Sequence, residues 1–338
     1  MKHRVLLAFS GGIDSITSVG QLLSEWDVET LTLDTIGDAE MIRSACESAQ
    51  RLGVKHSVLD VQREFKQQII NYFIESYAAG RTPAPCTVCN SMIKWRYLTE
   101  EADRRGIEHV ATGHYFNVVE HNGHHYVARA DDSRKDQSYY LWGLSESVLR
   151  RALTPMGHMI KAEVRRQFSS PKESMGLCFL QGESYRDYIT NHCPTLATEG
   201  EVVNGRGEVV GRHAGVAFYT IGQKRGFECC EAGAVVVGLD VQRNRIVVGT
   251  DAELYHATLD VEQCNIIDRE EFMQANDVRA VVRGIGRNPE GFVRRVEPTE
   301  RGYRIHLDDP AWAPAVGQPV VFYRQNRVVG GGFLERYY

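Results

Sequence analysis

The sequence predicts an α/β protein: a doubly wound parallel sheet followed by two small β modules, the last a β-barrel. Three observations carry this. Residues 5–9, VLLAF, form a short continuous apolar run that ends in a glycine pair, the pattern of a strand buried on both faces. Apolar runs then alternate with stretches of helical period as far as residue 115, which calls for parallel strands joined by crossover helices. Beyond about residue 195 the chain turns to short alternating runs punctuated by glycine, the signature of small antiparallel barrels.

RVLLAF (4–9) is the first strand, SITSVGQLL the first helix and VETLTLD (28–34) the second strand. In DAEMIRSACESAQRLG (38–53), Met41, Ile42, Ala45, Ala49 and Leu52 recur at helical spacing and Gly53 stops the helix. KHSVLDV (55–61) is a third strand, EFKQQIINYFIESYAAG a helix, KWRYLTEEADRRG another, and EHVATGHY (108–115) a strand. Between the last two helices, APCTVCNSMIKW (84–95) reads as a proline-bounded loop carrying two cysteines three residues apart. Downstream, GEVVNGRGEVVGRHAG, GAVVVGLDVQRNRIVVGT, VRAVVRGIG, GYRIHLDD and QPVVFYRQNRVVGGGFL supply the β-strands, with a break near YHATLDV (255–261). The expected boundaries are an α/β domain over 1–195, a small central β domain over 196–254 and a barrel over 255–338.

A chain of 338 residues suits two or three domains at about 150 residues each. With 43% apolar and 25% charged residues, disordered and collagen-like classes are excluded. No apolar run approaches the roughly 18 residues that span a bilayer. The opening MKHRVLLAFSGG has too short an apolar stretch for a signal-peptide core, so the chain reads as cytoplasmic, with no membrane partner. Eight cysteines are too few for a disulfide scaffold and are free, metal-bound or catalytic. A net charge of −5 argues against a general coating of nucleic acid. Positive charge is nonetheless concentrated at Arg279, Arg283, Arg287, Arg294, Arg295, Arg301 and Arg304, either as an RNA-binding face or as solvated charge on strands.

The stretch SGGIDS (10–15) lies between the first strand and the first helix. Gly11 and Gly12 let backbone N–H groups approach a ligand closely, and the helix N-terminus favours a phosphate or pyrophosphate. Open α/β sheets bind ligands at this end of their strands. There is no G-K-[ST] ending and no G-x-G-x-x-G, which excludes a Walker loop and counts against a dinucleotide fold. A plain strand-to-helix turn capped by Ser10 is the bland alternative.

SGGIDS after an N-terminal strand resembles the pyrophosphate loop of the N-type ATP pyrophosphatases, whose fold is of the adenine nucleotide alpha hydrolase type. AAGRTPAPCTVCNSMIKW (78–95) resembles the tRNA-specific 2-thiouridylases, whose pattern is G-R-T-P-N-P-D, two residues, then C-N-x-x-I-K-F. ATGHY (111–115), DSRKDQSYYLWGLS (132–145), SMGLCFL (174–180), HAGVAFYTIGQKRG (213–226) and GQPVVFYRQNRVVGGG (317–332) follow in that family's order. The resemblance covers nearly the whole chain.

It implies an ATP-dependent transferase that 2-thiolates the wobble uridine of tRNA by adenylating O2 and delivering sulfur from a cysteine persulfide. ATP and Mg²⁺ are the implied cofactors. A cysteine desulfurase, a sulfur-carrier protein or free sulfide would donate the sulfur. The ATP site would comprise Ala8, Phe9, Ser10, Gly11, Gly12 and Ser15, with Leu33, Gly113 and His114 from the neighbouring strands. Asp14 would place Mg²⁺. Cys178 would carry the persulfide, and Cys89 would attack it to release sulfide or resolve it as a Cys89–Cys178 disulfide, the latter requiring at least one of their segments to move until the Cα atoms lie within roughly 4.4–6.8 Å. Lys135, Asp136 and Gln137 would meet a flipped-out base, although capping accounts equally for Ser138. Lys224, Arg225, Arg283, Arg294 and Arg295 would grip the tRNA backbone.

The chain departs from the family at Cys86, where the pattern has aspartate, and at Ala84, where it has asparagine. Three readings of Cys86 stand open: a neutral replacement beside the Cys89 and Cys178 pair, a local redox pair with Cys89, or a third thiolate with Cys89 and Cys178 on a [4Fe-4S] cluster. Cys46, Cys193, Cys229, Cys230 and Cys264 read as structural. The segment before Cys178 is several residues shorter than the pattern, and Glu173 stands for the usual aspartate. Two rival functions remain: an ATP pyrophosphatase that adenylates a small metabolite, and a tRNA-binding paralogue that has lost thiolation.

Overall fold

The strands His3–Ala8 (β1), Trp26–Asp34 (β2), Lys55–Asp60 (β3), His109–Thr112 (β4) and Ala152–Leu153 (β7) form one parallel sheet in the order β3-β2-β1-β4-β7. The computed structural model describes residues 2–168, 176–284 and 286–338. The shortened segment with Glu173 lies outside the described residues. Val5, Leu6 and Leu7 of β1 are fully buried, as a central strand covered by helices on both faces demands. The sheet reverses its order beside β1, so the crevice beyond the carboxyl ends of β1 and β4 is where a ligand belongs.

Two helices depart from their expected form. The helix after β3 runs through Gln62–Phe65, a π-type stretch Lys66–Ile70 and Asn71–Ala78. The cysteine-bearing stretch is not a loop. It is helical from Pro85–Cys89 through a π-type stretch Asn90–Lys94 into Trp95–Arg104. Pro85 sits in the first turn, where its fixed φ starts a helix and its missing N–H costs nothing.

A hairpin unforeseen in the sequence, Asn117–His121 (β5) and Val127-bearing His124–Ala128 (β6), leaves the α/β domain. It joins the C-terminal sheet through Ala128 opposite Arg327. That sheet comprises Tyr255–Ile266 (β13), Val278–Val281 (β14), Val293–Pro298 (β15), Gly302–Trp312 (β16), Pro319–Arg324 (β17) and Arg327–Tyr337 (β18), all paired antiparallel. The fully buried Tyr126 packs in this barrel's core with Phe272 and Phe322.

The middle module holds Gly200–Val203 (β8), Val209–His213 (β9), Glu228–Cys229 (β10), Val235–Asp240 (β11) and Arg245–Gly249 (β12). It is mixed rather than purely antiparallel, because β8 pairs parallel with β12. Its core is continuous with that of the first domain: Phe73 and Phe179 share one apolar cluster with Phe218 and Ile221. No helix among the described residues is long and apolar enough to cross a membrane.

Candidate active site

The glycine loop joins β1 to the helix Ile13–Leu22. Gly11 has φ +72°, and a Cβ there would lie 2.9 Å from the Ala45 Cα, so only glycine fits without displacement. Gly12 caps the helix with no side-chain bond to its first turn. Ser10 therefore does not serve as the helix cap, and its Oγ meets the Gly12 N–H at 3.4 Å and the Ser15 hydroxyl at 3.5 Å. First-turn amides without a side-chain partner are the groups that receive phosphate, and the loop fits the pyrophosphate end of ATP on this ground. Ala8 and the buried Phe9 lead into the loop, with the Phe9 N–H held by the Leu31 carbonyl at 2.8 Å. Leu33 lies on the neighbouring β2.

Gly113, just after β4, presses on this loop. A Cβ there would lie 3.1 Å from the Ser15 nitrogen and 3.2 Å from the Asp14 carbonyl carbon. Asp14 is held by groups the sequence did not single out. Lys161 Nζ donates to both its oxygens, each at 2.7 Å, and the Tyr115 hydroxyl donates at 2.8 Å. Asp14 is thus already paired with a cation, and among the described residues no three His, Cys, Asp or Glu side chains are grouped to hold a metal ion.

The three cysteines differ in their access to solvent. Cys86 and Cys178 are exposed and Cys89 is buried, all three free. Cys178 opens a short turn, Cys178–Leu180, whose neighbour Phe179 is anchored edge-on against Phe65, Phe73 and Tyr188. The aromatic anchor leaves the thiol facing outward.

The cysteine helix starts where all three modules meet. Thr82 bonds Thr220 of the middle module at 2.6 Å, and its N–H donates to the Val316 carbonyl at 2.8 Å. Arg81 pairs with Glu335 of β18 at 2.6 Å. Protein packed around its sulfur raises the pKa of Cys86 although part of the residue is open to solvent, and burial pushes that of Cys89 up to about 11, while the Lys94 ammonium opposes both rises. Burial pulls the pKa of Lys94 down, but the charges of Cys89, Cys86 and Cys178 more than offset it and the net shift is upward. Burial, with Lys94 adding to it, pushes His114 down to about 3; its ring stacks beside Trp95. His114 is the neighbour of Gly113 and stacks beside Trp95, so the end of β4 touches the phosphate loop on one side and the cysteine helix on the other.

The remaining predicted residues divide. Asp136 is committed to its own turn, accepting from the Ala130 N–H, the Ser138 N–H and the Ser138 hydroxyl at 3.0, 3.1 and 2.8 Å. Ser138 is the first residue of the turn Ser138–Leu141 rather than its cap, and Asp136 supplies the side-chain bond to its N–H. The Gln137 side-chain carbonyl accepts from the Tyr115 N–H at 2.8 Å, and Lys135 is exposed. Arg294 and Arg225 are exposed, whereas Lys224 pairs with Asp251 at 3.2 Å and Arg295 with Glu297 at 2.6 Å. Arg283 turns inward, its Nη1 3.4 Å from the Ile221 and Ala313 carbonyls, and lies over Trp312. It joins the middle module to the barrel instead of facing a partner.

Fold and loop together define an α/β nucleotide-binding protein of the ATP-pyrophosphatase type with two appended β modules. Residues 3–182 match the tRNA methyl transferase HUP domain, 186–250 the tRNA methyl transferase PRC-barrel domain and 256–334 the aminomethyltransferase beta-barrel domain. The chain is 38% identical to the tRNA-specific 2-thiouridylase MnmA 3 of Bacteroides fragilis over 346 residues, covering 98% of this chain and 94% of that one. It is 33% identical to the tRNA-specific 2-thiouridylase MnmA of Cytophaga hutchinsonii over 367 residues, covering 99% and 98%. The chain belongs to the tRNA-specific 2-thiouridylase family.

Proposed function

We propose that this chain is an ATP-dependent tRNA uridine 2-sulfurtransferase that acts on the wobble uridine. The observation that carries the reading is the junction at the end of β4: Gly113 packs on the phosphate loop, and the adjoining His114 stacks beside Trp95 of the helix that carries Cys86 and Cys89. An adenylated base bound there would be within reach of a sulfur carrier.

Adenylation of uridine O2 releases pyrophosphate and makes that oxygen a leaving group. The terminal sulfur of a persulfide on Cys178 then bonds to C2. The Cys89 thiolate attacks the Cys178 Sγ and forms the Cys89–Cys178 disulfide. The electron pair of the cleaved S–S bond stays with the sulfur on C2, and AMP departs. An external thiol must reduce the disulfide before the next turnover. Exposure of Cys178 suits loading by a cysteine desulfurase or sulfur-carrier protein, and burial of Cys89 keeps the resolving thiol from that donor. Mg²⁺ would arrive with the ATP phosphates, since Asp14 is paired with Lys161.

The test is anaerobic: protein, unmodified tRNA, Mg-ATP and either a desulfurase with cysteine or, for protein first oxidised to the Cys89–Cys178 disulfide, sulfide that opens the disulfide to the Cys178 persulfide, followed by nucleoside mass spectrometry. A 2-thiouridine peak that requires ATP and vanishes in Cys178→Ser is expected. Retained tRNA binding with no thiolation under either donor would overturn the reading in favour of a binding paralogue.

A further inference from the structure

The stretch RTPAPC (81–86), where the cysteine helix begins, is poor in donors of its own. Pro83 and Pro85 have no N–H, and each disfavours the helical region for the residue before it. Ala84 accordingly has φ −122° and ψ 67°. Its carbonyl accepts from the helix itself, from the Thr87 N–H at 3.1 Å and the Val88 N–H at 3.3 Å. The carbonyls of Thr82 and Pro83 come just before that turn and need donors from elsewhere.

The barrel supplies them. Gln318 Nε2 donates to the Thr82 carbonyl at 3.1 Å and to the Pro83 carbonyl at 3.0 Å. Carbonyls only accept, so the atom between them is the amide nitrogen, which has two hydrogens to give. The turn 315–318 that carries Gln318 is fastened to β18. The Gly317 N–H donates to the Leu334 carbonyl at 2.8 Å, and the Leu334 N–H donates to the Gln318 carbonyl at 2.9 Å. Gly317, at φ +92°, lets the two backbones close, since a Cβ there would stand 3.0 Å from the Thr82 oxygen. The next residue of β18, Glu335, pairs with Arg81. Farther along the helix, Thr87, Val88, Ser91 and Met92 line a cavity of about 770 Å³ together with Phe333 and Glu335 of β18. Packing against the barrel therefore does not fix that part of the helix, and the bonds at its start do.

We propose that Gln318 is a positioning residue of the sulfur relay: its side-chain amide ties the start of the cysteine helix to the barrel and so sets where Cys89 stands when it meets Cys178. This rests on the function proposed above, but its first observable is the local stability of one helix and needs no turnover. The phosphate loop hangs on β1 and the helix Ile13–Leu22, so loss of the Gln318 bonds should impair sulfur delivery and spare ATP.

The experiment compares wild type, Gln318→Glu, Gln318→Ala and Gly317→Ala in the full-length chain. Peptide-resolved hydrogen–deuterium exchange is read beside single-turnover pyrophosphate release and 2-thiouridine formation. Gln318→Glu keeps the size of the side chain and removes both donors. Both Gln318 variants should speed exchange over 84–95 about tenfold, because two carbonyls lose their donor, while the amides of β1 and β2 keep their rates. Formation of 2-thiouridine should fall about tenfold or more, with the KM for ATP and the rate of pyrophosphate release unchanged. Gly317→Ala, which pushes against the Thr82 carbonyl, should give the same pattern. If Gly317→Ala does not fold, the Gln318 variants decide alone. Unchanged exchange over 84–95 in both of them would overturn the proposal. So would faster exchange with pyrophosphate release and thiolation falling in step, the mark of a merely structural contact. Absence of thiolation in the wild type, with exchange over 84–95 still faster in the Gln318 variants, would sink the sulfurtransferase reading and leave the barrel's hold on the helix standing.

Discussion

Lys161 Nζ reaches both carboxylate oxygens of Asp14 at 2.7 Å, which fastens the helix Lys161–Arg166 to the start of the helix Ile13–Leu22. Two residues 147 positions apart thus set the charge at the mouth of the phosphate loop.

Lys161→Met should leave the Asp14 carboxylate uncompensated beside incoming phosphates. A charged hydrogen bond contributes about 1.5–3 kcal/mol, so the KM for ATP should rise at least about tenfold. Pyrophosphate release against ATP concentration measures this. An unchanged KM would make the pair purely structural.

Gly11 and Gly113 should fail differently. Gly11→Ala forces a side chain onto φ +72° and against the Ala45 backbone, a strain of about 1–3 kcal/mol, and should lower the thermal midpoint. Gly113→Ala meets the Ser15 nitrogen at 3.1 Å and should weaken ATP binding severalfold with a smaller loss of stability. Calorimetry of unfolding and of nucleotide binding separates the two effects.

Glu271 couples acid stability to the union of hairpin and barrel. Burial alone would raise its pKa, but bonds from Arg327, Arg324 and Tyr126 at 2.7, 2.8 and 2.8 Å outweigh burial and bring it to about 2. A depressed folded-state pKa gives stability that is present above the unfolded carboxyl value and lost as pH falls toward 2. That contribution is on the order of 3 kcal/mol. Glu271→Gln should flatten the loss of stability between about pH 4.5 and 2, read from denaturant midpoints at each pH.

His114 should remain neutral through the working range because its pKa lies near 3. Its ring resonances should stay fixed between about pH 8 and 5, while exposed histidines titrate. Movement in that window would mean that water reaches the ring.

The alternation of β1, β2 and β3 with their helices was legible because each element's burial is written in its own short window. The glycine loop and the two matched cysteines were legible for the same reason, as local motifs. The helix under Cys86 and Cys89 was not, since Pro85 next to a cysteine pair reads equally as a loop boundary and as a helix start. Arg283 looked like its exposed neighbours, and only the packing of Trp312 against the middle module turned it inward.

By itself the sequence determined the layer architecture, the phosphate loop and the presence of two separated thiols, since periodicity and glycine placement act over a few residues. The tertiary structure alone decided that Lys161 neutralises Asp14, that the hairpin 117–128 belongs to the barrel, and that Arg283 turns in between the middle module and the barrel. Each of these depends on groups brought together across the fold. Burial then sets their charge, and burial is a property of the assembled protein.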